Sequence, residues 1–167
     1  MGKFTIRYAN VADAEAISNI GTKVFNLSFG HAIPEPDLKM YLEQSYTAEA
    51  FSSEISDPLK KIIVACNEQQ CVVGFAQLTI GTSDPCLNNV LLPIELQRVY
   101  VHQDYHKLGI GKLLMEAAED IARSQGFKHI WLGVWEENQR AQKVYASAGY
   151  EQVGVHDFQM GSCIHID

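Results

Sequence analysis

The sequence predicts an α/β (α+β) chain, one mixed central sheet flanked by helices on both faces. Three observations carry that expectation. Segments rich in β-branched residues alternate with amphipathic stretches along the whole chain, and glycines stand at the ends of two of those stretches, Gly126 and Gly149. The 167 residues, 47% of them hydrophobic, are enough to bury one sizeable core.

Phe4 to Tyr8 (FTIRY) alternates apolar and polar residues as a half-buried strand does, and Asn10 or Asp13 is placed to cap a helix through AEAISNIGTKVF. After the breaker-rich GHAIPEP, Asp37 to Ser56 carries Leu38, Tyr41, Leu42, Tyr46, Phe51 and Ile55 at roughly helical intervals, which predicts two short helices. Ile62 to Cys66 and Cys71 to Ile80 read as a hairpin around the polar NEQQ. The Pro-containing GTSDPCLNNVLLP leads into a strand from Ile94 to Val101, and a helix from Gly109 to Gln125 ends at Gly126. His129 to Trp135 is a predicted strand, Asn138 to Ala148 a helix closed by Gly149, and Tyr150 to Met160 a further strand. With no repeat, low-complexity tract or linker, residues 1–167 are expected to form a single domain.

A formal charge of −7 argues against nonspecific nucleic-acid binding and suits a cationic partner, although many ordinary soluble proteins are as acidic. Cys66, Cys71, Cys86 and Cys163 have no CxxC spacing, and the six histidines no metal-ligand spacing, so neither a zinc site nor a redox pair is expected. The start MGKFTIRYAN lacks the apolar stretch of a signal peptide, and Ile6 stands where a myristoylation start wants Ser or Thr. No run approaches the roughly 18 apolar residues of a membrane span. The expectation is a cytoplasmic protein without membrane attachment.

YHKLGIGKLL places Gly109 and Gly111 at a strand-to-helix turn. Such a turn is an anion-binding device, because free N–H groups converge there and the helix dipole adds about half a positive charge. The plainer alternative is a tight turn with close packing. There is no GxxxxGK[ST], and GxGxxG fails because Leu114 occupies the third glycine position, so neither common nucleotide fingerprint applies.

Two blocks, ELQRVYVHQDYHKLGIGKLLMEAAEDIA (95–122) and WLGVWEENQRAQKVYASAGY (131–150), together resemble the GNAT superfamily of acetyl-CoA-dependent N-acetyltransferases. The family loop R/Q-x-x-G-x-G/A becomes His106-Lys107-Leu108-Gly109-Ile110-Gly111, and its NxxAxxxYxxxGF becomes Asn138 through Ala141, Tyr145 and Gly149 to Tyr150. With FNLSFG early and HDFQMG late, the chain most resembles the bacterial spermidine/spermine N-acetyltransferases of the PaiA type. GSCIHID stops where that family's last strand would only be starting, so part of the strand is expected to be missing or replaced by another element.

The resemblance implies acetyl-CoA as co-substrate, a small primary amine as acceptor and no metal. Pantetheine and thioester would lie along Arg98, Val99, Tyr100 and Val101, with Val99 and Val101 acting through backbone. The pyrophosphate would rest on His106, Lys107, Leu108, Gly109, Ile110, Gly111 and Lys112. Since the family contacts there are largely backbone amides, His106 in place of Arg or Gln is expected to be tolerated. Asn138 would bind the pantetheine arm and Tyr145 would be the general acid toward the leaving sulfur. Glu95 matches the position of a carboxylate that takes the amine proton, directly or through water; its plainer reading is a solvated strand-edge carboxylate. Glu35, Asp37, Glu43, Glu136 and Glu137, with Trp135 and Tyr41 as aromatic faces, are candidates for an amine pocket, each also readable as ordinary surface or packing. Other acceptors (a protein amino terminus or lysine, an amino acid, an aminoglycoside) and a noncatalytic acyl-CoA-binding module stay open. Dimers are common in the resembled family, so a homodimer stays open too, although no patch in the sequence marks one.

Overall fold

The computed structural model describes residues 3–82, 87, 89–134, 138–152, 157–160 and 163–166, the last two stretches as backbone. Strand β1 (Thr5–Tyr8) leads through a 3-10 turn, Val11–Asp13, into helix α1 (Ala14–Phe29). Asn10 and Asp13 form a capping box at that turn: Asn10 Oδ1 accepts from Ala12 N (3.0 Å) and Asp13 Oδ2 from Asn10 N (2.8 Å). Arg7 reaches across to the same carboxylate at 2.8 Å and holds its pKa below the ordinary value. Two short helices follow as expected, α2 (Glu35–Ser45) and α3 (Ala48–Ile55). The hairpin is β2 (Lys60–Cys66) and β3 (Val72–Thr79), and β4 (Pro93–Val101) runs antiparallel to β3. Helix α4 (Ile110–Ser124) crosses over to β5 (His129–Trp131), which lies parallel to β4; α5 (Gln139–Ser147) comes next.

The five strands form one sheet in the order β1-β2-β3-β4-β5. Strand side chains alternate between its faces, so each face has its own core. Ile62, Val64 and Phe75 pack with Ile17, Phe25 and Phe51 on the α1–α3 face. Ile63, Ala76, Ile94 and Leu96 pack under α4, whose Ile110, Leu114, Met115, Ala118 and Ala122 make one buried stripe.

Two sequence expectations need correcting, and the C-terminal segment finds a place. The strand foreseen over His129 to Trp135 stops at Trp131, and 132–134 carry no strand pairing. In β4, Leu78 pairs with Leu96 but Gln77 pairs with Arg98, so Gln97 is an extra, bulged residue, and pairing to β5 ends two residues before it, at Glu95. Of the strand foreseen over Tyr150 to Met160, Asp157–Met160 is strand (β6) and 150–152 are not, Tyr150 N–H donating instead to Tyr145 O in closing α5; 153–156 lie outside the described residues. Finally, Cys163–Ile166 (β7) is a strand, paired antiparallel with β6 in a separate two-stranded sheet.

Candidate active site

β4 reaches α4 through a short, hydrogen-bonded turn. His102 Nδ1 accepts from Asp104 N (3.1 Å) and seats the 3-10 turn Gln103–Tyr105. The His106 ring lies with Nε2 2.9 Å from the Val101 carbonyl; an N–H there donates to it and ties the turn to the end of β4. The side chain is thus engaged with the protein's own backbone, which leaves amides as the main resource of the loop. Lys107 takes φ +65° and Gly109 φ +81°, a left-handed conformation that an L side chain adopts only at a cost.

Helix α4 then begins with no side-chain cap and no acidic residue in its first turn. Its first N–H groups lack intrahelical partners by geometry. The buried Ile110 anchors this turn to the sheet. A Cβ added at Gly111 would meet only Val101 Cγ2, at 4.0 Å. Packing within the chain therefore does not require glycine at 111, and the space over that amide is open to a group that must approach the backbone closely. The residues fit a diphosphate on this observation.

Beyond Glu95, β4 has no β5 pairing among the described residues, so the outer backbone groups over 98–101 are open to another partner, apart from the Val101 carbonyl already bonded by His106. A linear amide-bearing chain such as pantetheine can satisfy them as an added strand would. Val99 and Val101 pack their side chains on the α4 face. Arg98 and Tyr100 point the other way. The Arg98 guanidinium, 7% exposed, lies 5.0 Å from the Tyr46 ring centroid and 5.2 Å from that of Phe51, and the Tyr100 hydroxyl is 2.8 Å from that of Tyr46. For these two residues only the backbone lies along the open edge. Burial opposes the Arg98 charge, but Tyr46 and Glu54 outweigh it and its pKa is raised.

Glu95, half-buried, is the last β4 residue paired with β5, opposite Trp131. Its neighbours Ile94 and Leu96 pack under α4, so its carboxylate projects to the α1–α3 face, and Trp131, its register partner, shares that face. The Trp131 indole N–H is enclosed without a hydrogen-bond partner among the described residues. Tyr145 packs against the α4-side cluster. Glu95 and Tyr145 thus lie on opposite faces of the sheet.

The second motif turns out to be a helix read from cap to cap. Asn138 Oδ1 accepts from Ala141 N (3.2 Å), so that oxygen caps α5 while the side-chain NH2 is not used by the cap. At the other end Tyr150 N donates to Tyr145 O (3.0 Å) and Gly149 N to Ala146 O (3.0 Å), with Gly149 at φ +96°. This is the Schellman closure, and the ring contact that accompanies it joins Tyr145 to Tyr150 at 5.9 Å, edge to face. Burial pushes both phenols upward; Glu119 and Tyr145 push Tyr150 further. A groove of about 550 Å³ runs between Lys112, Glu116 and Glu119 of α4 and Lys143, Val144 and Ser147 of α5.

Of the acidic candidates for an amine pocket, the three described ones all lie on α2. Glu35 is exposed at the start of α2, Asp37 is half-buried in the same turn, and Glu43 is exposed 4.0 Å from Lys39. Tyr41 is stacked on Phe25 (5.0 Å) and Tyr46 (5.6 Å), its pKa pushed up to about 12 by burial and then Tyr46. Within this aromatic cluster the cation over the rings is the protein's own Arg98. Trp135, Glu136 and Glu137 lie outside the described residues. Sequence reasoning missed Glu54, Tyr46 and Gln77, which surround Arg98; the available signal was Gln77, a polar residue inside the apolar run GFAQLTI. Among the described residues no group of three or more His, Cys, Asp or Glu could hold a metal, and no helix is long and apolar enough to cross a membrane.

Comparison with known proteins bears on this geometry. The model of the Acetyltransferase (GNAT) family matches residues 26–150. An uncharacterised N-acetyltransferase of Mycobacterium bovis is 26% identical over 152 residues, covering 91% of this chain and 92% of the relative. The spermidine N(1)-acetyltransferase of Thermoplasma acidophilum is 22% identical over 149 residues, covering 87% of each. The crystal structure of the PaiA N-acetyltransferase from Thermoplasma acidophilum, in complex with coenzyme A, superposes with a TM-score of 0.76 at 20% identity, covering 98% of this chain and 96% of that one.

Proposed function

Since this chain belongs to the GNAT acetyltransferase family and is an N-acetyltransferase, we propose that it moves acetyl from acetyl-CoA to a primary amine, with a polyamine such as spermidine or spermine as acceptor. The observation that carries the cofactor half is the α4 start: uncapped amides, no acid in the first turn, and open space over Gly111. The diphosphate sits on these amides, Lys107 and Lys112 add charge beside it, and the groove between α4 and α5 has room for the rest of the nucleotide. The open β4 edge holds the pantetheine arm and offers N–H groups to the thioester oxygen.

An alkylammonium has a pKa near 10.4, so the site must remove a proton before the nitrogen attacks. Glu95 takes that proton, directly or through water. As the C–S bond breaks, the Tyr145 phenol donates its proton to the departing thiolate; its raised pKa keeps it protonated at neutral pH. The polyamine half is supported by the spermidine-acetylating relative and by the net charge of −7. Release of free thiol from acetyl-CoA, followed at pH 8 to 9 with spermidine, an amino acid, a peptide amino terminus and an aminoglycoside in parallel, tests it. Turnover confined to a non-polyamine acceptor would replace the polyamine, and coenzyme A binding with no turnover on any amine would leave a noncatalytic acyl-CoA module.

A further inference from the structure

The bulge that follows the end of the β4–β5 pairing is held by side chains. Because Gln97 is extra, Gln97 and Arg98 project successively to the α1–α3 face, where a regular strand would alternate. Gln97 Oε1 accepts from Thr79 Oγ1 (2.6 Å) and Gln77 Nε2 (3.1 Å), and Arg98 Nη1 donates to Gln77 Oε1 (2.6 Å) and Glu54 Oε2 (2.9 Å). Lys60 Nζ lies 3.2 Å from the other Glu54 oxygen, and Arg98 Nε donates to the Tyr46 hydroxyl at 3.4 Å. Gln77 is fully buried, so its amide binds both bulge residues without competition from water. The network joins α3, β2, β3 and β4, and a buried charge that left it would be unpaired, which is strongly unfavourable.

A bulge left to itself can migrate, and a one-residue shift turns every later side chain to the opposite face. Here such a shift would put Arg98 under α4 and Val99 among the polar groups. We propose that Arg98 is a positioning residue: with Glu54 and Gln77 it holds the Gln97 bulge in one register and so aims the open β4 edge over 98–101 at the thioester. The inference rests on the acetyl-transfer reading for its target and on the network alone for its mechanism. The Arg98 side chain needs no contact with either substrate.

Gln97→Ala removes the exposed member of the network and leaves all charges paired, whereas Gln97→Glu keeps an acceptor for Thr79 and Gln77; Arg98→Met removes the buried charge. Kinetics, melting temperature and amide hydrogen exchange are measured on each. For Gln97→Ala the expectation is a kcat lower by about tenfold with KM for acetyl-CoA changed by no more than roughly threefold, since misaimed groups cost rate while the diphosphate grip persists. Amides of β4 that face β3 exchange about tenfold faster while β1–β2 amides do not, and Gln97→Glu recovers most of both. Arg98→Met shows the same pattern, larger. A kcat within about twofold of wild type with unchanged exchange in Gln97→Ala overturns the proposal. So do equal losses in Gln97→Ala and Gln97→Glu, or exchange that rises across the whole sheet in step with lost melting temperature, which mark general destabilisation. Exchange needs no turnover: were wild type inactive on every amine, the acetyl-transfer reading would fail, and the exchange pattern would still decide whether the network holds the bulge.

Discussion

Helices α4 and α5 both begin after a turn, and they treat their first amides in opposite ways. α5 has Asn138 as a side-chain cap, with Oδ1 bonded to Ala141 N. α4 has Gly109, which offers no side chain at all, and no acid in its first turn. A cap of the α5 kind stabilises by about 1 kcal/mol. That α4 forgoes it at the end of the strand that loses its β5 partner, under open space at Gly111, is what marks this start as the place for an external acceptor of hydrogen bonds. α5 is closed on itself at both ends; the start of α4 is left open.

Breaking the α4 side of that contrast should have the largest effect. Gly111→Asp places a carboxylate in the space reserved for phosphate while supplying a favourable charge to the helix start, so coenzyme A affinity should fall by roughly 100-fold or more with melting temperature unchanged or slightly raised. Calorimetry and a melting curve check both. Next comes the chemistry carried by α5: Tyr145→Phe should lower kcat by about 100-fold and leave coenzyme A affinity within a few-fold. Burial raises the Tyr145 pKa, so the neutral phenol is the form that folding favours. Its contribution to stability is therefore fully present below the unfolded value of about 10 and is lost as pH rises through the folded one. Activity should accordingly rise from pH 7 to 9, as the amine deprotonates, without an alkaline decline below about pH 10. A pH–rate profile with a decline starting near 8 would remove Tyr145 as the acid.

The smaller effects separate the two caps. Gly109→Ala forces an L side chain into φ +81° and should cost roughly 1–2 kcal/mol of stability, although nothing lies within 4 Å of the added Cβ. Asn138→Ala should cost about 1 kcal/mol in denaturant unfolding and change coenzyme A affinity little, because its oxygen serves the helix. A large loss of affinity with unchanged stability would put Asn138 on the pantetheine arm.

What the sequence made legible is local. The α5 motif could be read because Asn138, Ala141, Tyr145, Gly149 and Tyr150 are the N-cap, N3, C3, C′ and C″ positions of one helix, and every partner lies within a few residues. The Gly109 turn could be read for the same reason. The Gln97 bulge left only a trace: in IELQRVYV the apolar phase set by Ile94 and Leu96 slips by one residue before Val99 and Val101, while the groups that hold the slip, Gln77, Thr79 and Glu54, come from other elements. Arg98 accordingly reads as an exposed strand residue until α3 supplies its counter-charge. The early end of β5 and the separation of β6–β7 from the main sheet depend on pairing that no local pattern encodes. Acceptor specificity stays the least legible part, since Glu35 and Glu43 lie on the surface of α2 and no spacing ties them to Glu95.

The most direct test is a calorimetric titration of coenzyme A into the wild-type protein and into Gly111→Asp under one set of conditions. Saturable one-to-one binding by the wild type, largely abolished in the variant at equal melting temperature, is the predicted result. Equal affinity in the two proteins, or no saturable heat with the wild type, would contradict the role given to the α4 amides.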